Sequence, residues 1–280
     1  MNNLAGYWLR CGVVLAAFSM LPAEAADELD MASDLSPFSL RLGVYDMNLS
    51  TKVRVDGVGG NLGSSLDFED DLNLDDNKDT FDIAFRWRFK KRHFLEVEYF
   101  QLKRNGLRRL DGEIRFGDTV LPVGADVRSS FTTEVTRLSY AYRLVHDRDW
   151  GLAIGAGLHV TRLRAALTEI DFDNIQVPTG ESEIAAVTAP LPVIGISGAR
   201  RLGEKGALIL RAQLFEVAVD DVDGRIEHAA IHFEHDTFER VGFGIGYDWF
   251  NIDIESRDRL WIGRADVKFH GPMLFLKGSF

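Results

Sequence analysis

Cysteine, proline and long apolar runs are all scarce in this chain. Of 280 residues one is cysteine and seven are proline, and no stretch of 18 consecutive apolar residues occurs. The last absence excludes a membrane-spanning helix. A single cysteine excludes an internal disulfide and any Cys-x-x-Cys signature, and neither a phosphate-binding glycine loop nor a dinucleotide fingerprint is present. Basic residues number 32 against 43 acidic ones, a net charge of −11 with pI near 5.1 and no basic run. Such a chain is not built to bind nucleic acid. What it has in quantity is apolar residues (46%) and 26 glycines, beside 27% charged residues. That composition excludes a disordered tract and a collagen, and the length suits one large domain or two small ones.

Residues 1–25 carry the three parts of a secretory leader in order. Arg10 supplies the positive region, Cys11 to Leu21 is an apolar stretch too short for a stop-transfer helix, and Pro22 precedes the A-x-A site Ala23-Glu24-Ala25. Cleavage after Ala25 is expected, leaving residues 26–37 as an N-terminal segment ahead of a body spanning 38–280. Cys11 follows Leu9-Arg10, which is not a lipoprotein box, and it leaves with the leader. An exported chain without a disulfide takes its stability from a large core or from a bilayer.

After residue 37 the pattern has period two. Phe81, Ile83, Phe85, Trp87 and Phe89 alternate with Asp82, Ala84, Arg86 and Arg88. Leu95, Val97 and Tyr99 alternate with Glu96 and Glu98, and Leu138, Tyr140, Tyr142 and Leu144 with Ser139, Ala141 and Arg143. Trp150, Leu152, Ile154, Ala156 and Leu158 enclose Gly151, Ala153, Gly155 and Gly157; Val241, Phe243, Ile245, Tyr247 and Trp249 enclose Gly242, Gly244, Gly246 and Asp248. Each segment is therefore a strand with one apolar and one small or charged face. A soluble sandwich would bury the apolar face and wet the other. Here the second face is glycine, Arg and Glu, while Trp and Tyr gather near the ends of the apolar face. Both features predict a closed transmembrane barrel, greasy side outward and polar side toward the lumen.

Ten strands are expected, near 38–56, 79–90, 94–105, 130–145, 150–166, 185–202, 206–219, 224–235, 238–255 and 262–280; a count of eight would require two of them to be loops. Long connections at 57–78, 106–129 and 167–184 fall on one side with the short ones at 220–223 and 256–261, and tight turns fall on the other, such as His146-Asp147-Arg148-Asp149 and Gly203-Glu204-Lys205-Gly206. Long loops outside, short turns and both termini in the periplasm complete the expected all-β, antiparallel up-and-down topology.

The last ten residues, Gly271 to Phe280, place Leu274, Leu276 and the terminal Phe280 on one alternating face. This resembles the C-terminal assembly signal of Gram-negative outer-membrane β-barrel proteins, with Gly278 standing where a bulky residue is usual. The resemblance implies export to the outer membrane, contact with outer-membrane lipids and lipopolysaccharide, and recognition by the barrel-assembly machinery. It is silent on activity, because the fold hosts porins, adhesins and lipid-modifying enzymes alike.

Ten strands tilted by about 40° enclose a backbone cylinder of about 10 Å radius, which ordinary side chains nearly fill. An occluded or narrow lumen is the expectation. One register of the hairpin around Lys91 sets Arg88 opposite Glu96 and Arg86 opposite Glu98, buried pairs that would satisfy each other or act as a selectivity filter. Gly151, Gly155 and Gly157, with Gly242, Gly244 and Gly246, form two walls without side chains. Inward aromatics such as Phe100, Phe215, Phe250 or Phe275 are expected to occupy that space, the alternative being a solute path or an acyl pocket.

Chemistry-bearing constellations are sparse. The loop from Leu66 to Asp79 is dense in carboxylates. Asp71, Asn73, Asp75 and Asp79 could hold a cation weakly; Asp82 completes EF-hand-like offsets, but Asp76 stands where that loop needs glycine. The interspersed Leu66, Phe68, Leu72 and Leu74 predict that this loop folds back over the mouth. His159 and Ser139 lie on adjacent strands, about a residue pair out of register. His228 and His232 share a face but lie about 13 Å apart along a strand, too far for one metal ion. Asp220, Asp221 and Asp223 with His228 loosely resemble the acidic and Asp-His groups at the mouth of the outer-membrane barrel proteases. No cofactor is expected. The expected role is non-enzymatic, in envelope integrity or slow passage of small solutes. A lipid- or peptide-directed enzyme and a binding module working through the long loops are the alternatives.

Overall fold

The computed structural model describes residues 36–147, 149–171, 174–219, 221–258 and 261–280. The leader, its cleavage site, Cys11, most of the segment 26–37, Arg148 and Asp220 lie outside the described residues. Thirteen strands follow in chain order: β1 (Phe38–Asp56), β2 (Ser65–Asp67), β3 (Asn77–Lys90), β4 (His93–Arg109), β5 (Ile114–Phe116), β6 (Thr119–Leu121), β7 (Asp126–His146), β8 (Trp150–Asp171), β9 (Asn174–Leu202), β10 (Gly206–Val219), β11 (Val222–His235), β12 (Val241–Asp258) and β13 (Trp261–Ser279). Ten of them pair antiparallel in the order β1-β3-β4-β7-β8-β9-β10-β11-β12-β13, and β13 returns to β1. The ring closes with Phe38 and Phe280 exchanging backbone hydrogen bonds of 3.0 and 2.9 Å, while their rings stack at 6.0 Å. The chain is thus an all-β closed barrel, with the expected ten staves.

Two connections differ from expectation. Residues 167–184 form no long loop: β8 and β9 continue as a paired ladder, Leu167 opposite Glu183 and Thr168 opposite Ser182, before it becomes irregular near Ile170. The second connection shrinks to 110–125, because β4 and β7 remain paired up to Arg109 and Asp126, and it carries the β5–β6 hairpin.

Every long stave except β3, whose large apolar residues all point outward, changes character partway along. At the end carrying the tight turns (the turn end) apolar residues point outward: Leu42, Val44, Phe85, Trp87, Val97, Leu138, Ile154, Ile245, Leu274 and Leu276 are all exposed. Toward the other end (the loop end) the apolar face turns inward without a break in the ladder. In β1, Tyr45, Met47, Leu49, Val53 and Val55 are buried, while Asp46, Asn48, Ser50 and Lys52 face out. The same exchange occurs in β4 between Tyr99 and Phe100, in β7 between Val135 and Leu138, and in β12 between Trp249 and Phe250. The turn half is a lipid-facing barrel, and the loop half is a barrel with an ordinary apolar core.

The loop 57–78 closes the mouth of that core. Leu66, Phe68, Leu72 and Leu74 are buried, as their spacing predicted, and β2 pairs with Lys52–Arg54 of β1, on the edge that β3 leaves beyond Asn48. Arg104 of β4, 1% exposed, holds the loop through the Glu69 carboxylate, the Asp75 carbonyl (3.0 Å) and the Thr51 hydroxyl. Gly106 is needed beside it, because a Cβ there would lie 2.3 Å from the Leu72 carbonyl oxygen. The β5–β6 hairpin completes the lid: Gly117 N donates to Val55 O (3.0 Å) and the Thr119 hydroxyl to Glu183 (3.2 Å).

Two outcomes test this architecture. Leu42→Arg, in the outward apolar belt, should cost about 2–4 kcal/mol in urea unfolding from lipid vesicles, whereas Ser50→Arg on the same strand should cost less than about 0.5 kcal/mol. Arg104→Met should cost about 2–4 kcal/mol through the stranded Glu69 carboxylate, and limited proteolysis should then cut within 66–78.

Candidate functional site

Among the described residues, buried charged groups converge in the lumen of the turn half, and their layout follows from strand parity. The hairpin β3–β4 turns at Lys91-Arg92 with Lys90 opposite His93, which alone would set Arg88 against Leu95 and mismatch the faces. A bulge between Arg88 and Lys90 inserts one residue and restores parity, so Arg88 faces Phe94, Arg86 faces Glu96 and Ala84 faces Glu98. The expected pairs Arg88–Glu96 and Arg86–Glu98 are therefore corrected by one residue pair. Arg86 bonds Glu96 at 2.7 and 2.9 Å, and Arg211 of β10 reaches the same carboxylate at 2.9 Å. Glu98 instead serves Arg41 of β1 (3.3 Å) and Arg137 of β7. Arg41 also bonds Asp82 of β3 at 3.0 Å.

From Arg137 the network crosses the lumen. Its guanidinium, which can only donate, lies 3.2 Å from Nδ1 of His228. That nitrogen therefore accepts, and the ring proton sits on Nε2, which donates to Asp248 at 2.9 Å. His232 bonds the second oxygen of Asp248 at 2.7 Å. Asp248 lies opposite Ala230, midway between the two histidines, so one carboxylate spans a gap too wide for a metal ion. The Tyr45 hydroxyl donates to the Asp248 carbonyl (3.1 Å). His159, fully buried, meets Gln213 at 3.1 Å. Ser139 faces Gly157, one pair away from His159, and no hydroxyl or thiol bonds His159, His228 or His232 among the described residues.

Immediately beyond the ionic layer lies an aromatic one. His159 of β8 stacks on Phe250 of β12 (5.9 Å), Phe250 stacks on Phe269 of β13 (4.8 Å), and Phe269 meets Phe100 of β4 and Tyr45 of β1 edge-on (5.6 and 6.4 Å). This row of rings runs from one wall of the barrel to the opposite one. Between the two layers remains a void of about 10 Å³ bordered by Asp82, Arg137, His228 and Asp248, at most one water molecule's worth.

The two glycine walls have different uses. A Cβ on Gly244 would lie 2.2 Å from the Phe275 ring, and one on Gly246 2.2 Å from the His232 ring, so that wall receives inward rings. Gly242 abuts the His235 carbonyl and Asp236. On β8, Gly155 and Gly157 permit close approach to the Tyr140 and Leu138 carbonyls, while Gly151 and Gly155 line a vestibule at the turn end. Phe215 packs at the margin of the apolar core instead.

The remaining candidates are scattered. Asp71 accepts from the Asp67 amide, Asn73 adopts φ 57°, Asp75 lies 3.8 Å from Lys78, Asp79 faces Asp46 and Asp82 is in the lumen. No cluster of three metal-ligating side chains exists among the described residues. Asp223 faces out and bonds Arg257, on the opposite side of β11 from the inward His228, so these two do not meet. Leu274, Leu276 and Phe280 lie on the outer face at the closing seam.

No protein-family model matches the chain, and no curated protein matches it in sequence. Among solved structures, the outer membrane protease OmpT from Escherichia coli aligns over 91% of this chain and 99% of its own, with TM-score 0.54 and 12% identity. The translocator domain of the autotransporter NalP from Neisseria meningitidis covers 86% of this chain and 88% of its own, with TM-score 0.42 and 10% identity. OprG from Pseudomonas aeruginosa covers 90% and 99%, with TM-score 0.35 and 10% identity. The likeness to OmpT is one of fold: a closed antiparallel barrel of the outer-membrane type.

Replacing Glu98 by alanine would take the carboxylate from the buried Arg137 guanidinium and leave Arg41 with Asp82 alone. A loss of about 3–5 kcal/mol is expected, read as a lowered urea midpoint in vesicles and a lowered temperature for loss of the compact band on unheated gels.

Proposed function

We propose that this protein is a sealed outer-membrane barrel, without catalytic activity, that anchors a rigid charged cap at the cell surface and contributes to envelope integrity. The leader and the alternating final strand support export and insertion. The short turns and both ends of the barrel then face the periplasm, and the loop half stands outside. The observation that carries the reading is the row of rings from His159 through Phe250 and Phe269 to Phe100 and Tyr45, backed by the bonded layer of Arg41, Asp82, Glu98, Arg137, His228 and Asp248.

Solute passage, the other use expected of the lumen, lacks a path. The vestibule ends below Gln213 and His159, and the mouth is filled by the docked loop and the apolar core. An enzymatic reading finds no hydroxyl or thiol on these histidines among the described residues, and Asp248, His228 and His232 are buried. The cap supports a surface role. Its outer face carries polar and ionic side chains on rigid strands, including Lys52, Arg54, Asp253 and Arg264, and its lid is fixed by Arg104. Rigid, polar strand surfaces present a contact face with little ordering cost.

Planar-bilayer recording tests the seal. The purified protein should give no discrete steps at neutral pH in 1 M salt (about the strongest ordinary test of a weak pore). Regular steps from the unaltered protein would overturn the reading.

A further inference from the structure

A sealed barrel has no need of the vestibule at its turn end. The outer part has a volume of about 140 Å³ and the inner part about 80 Å³, and Arg86, Phe94, Ala153, Ser197 and Arg211 line both. The vestibule exists because β8 offers only Gly151, Ala153 and Gly155 on this side, facing arginines across the lumen.

Its lining is rich in arginine: Arg86, Arg143, Arg200, Arg201 and Arg211 stand beside Glu96, Glu234, Asp147 and Asp149. Glu96 receives Arg86 on one oxygen (2.7 Å) and Arg211 on the other (2.9 Å), so two guanidiniums share one carboxylate. Arg143 lies 5.0 Å over the Phe94 ring and bonds His146 (3.2 Å), and Arg201 also lines the chamber. The other inward acid at this level, Glu234, is bonded to Lys277 at 2.7 Å, and the same lysine holds Asp236 at 3.0 Å. The remaining acids, Asp147 and Asp149, sit on the exposed turn at the rim.

We propose that this vestibule binds a small anion, a phosphate or a carboxylate, entering from the periplasm. Planar guanidinium forks suit either group, and in a partly desolvated chamber an incoming anion can share the Arg86 and Arg211 forks that now converge on Glu96. The direction of entry rests on the orientation proposed above; the binding does not.

Calorimetric titration of the full exported chain in zwitterionic detergent with inorganic phosphate, at constant ionic strength, tests the site. Saturable binding is expected. Glu96→Gln, which removes the resident competitor, should tighten it by about three- to tenfold, and adding Arg86→Gln or Arg211→Gln to that variant should weaken it at least about tenfold. Lys268→Gln, on the outer face, should change nothing. No saturation in the millimolar range with either the unaltered protein or Glu96→Gln would overturn the proposal, as would an affinity indifferent to all three lumen substitutions. A further arm neutralises Asp27, Glu28, Asp30 and Asp34, the carboxylates that precede the barrel in sequence. Unchanged affinity supports a free solute as ligand, whereas tighter binding would overturn that assignment in favour of the chain's own acids. A barrel that conducts yet still binds phosphate would sink the sealed reading and leave this one standing.

Discussion

Everything in this molecule depends on the sheet closing on itself. Backbone amides and carbonyls in hydrocarbon have no water to fall back on, so an open edge is untenable and the first and last staves must meet. The meeting is direct: Phe38 and Phe280 exchange hydrogen bonds in both directions, and their rings stack on the outside of the seam. Closure at ten staves in turn fixes the lumen radius, and the radius decides that opposing side chains touch. Arg137 of β7 and His228 of β11, four staves apart, are neighbours only because the cylinder is narrow.

Two solvents are written along each long strand but β3. Toward the turn end the sequence puts its apolar residues outward and buries ions; toward the loop end it does the reverse. The buried ions are tolerable because nearly every one is shared. Glu96 and Glu98 each serve two arginines, and Asp248 serves two histidines. Such networks hold position more than they add stability, since the cost of desolvating the ions offsets most of their attraction. The aromatic row above them marks the level where the interior changes from ionic to apolar.

The architecture was legible in the sequence because a period of two is robust: it survives errors of several residues at strand ends. Strand count, the inward course of the 66–74 segment and the outward Trp and Tyr positions all follow from it. Register was not legible to the same degree. A one-residue bulge at Phe89 sets Arg86 against Glu96 where the turn alone would give Val97, while the expected partner Glu98 lies opposite Ala84, and no local signal announces such a bulge. Asp248 escaped notice as a partner of His228 and His232 for the same reason, since only the β11–β12 register places it between them. The sequence does carry one signal of the change of surroundings. In β1 the apolar residues fall on even positions through Val44 and on odd positions from Tyr45; β4, β7, β12 and β13 switch similarly. A phase change within an unbroken strand marks the level at which the surroundings change, and it would have shown that much of the length assigned to outer loops is sheet.

That switch also gives the barrel a waterline. Sinking by a single residue pair would drag Asp46, Asn48 and their counterparts on neighbouring staves into oil, and rising by the same step would lift Leu42 and Val44 into the aqueous phase. Both displacements are penalised from the first ångström, so the height at which the protein floats is set by its own strands, and a thinner or thicker bilayer must bend to meet it.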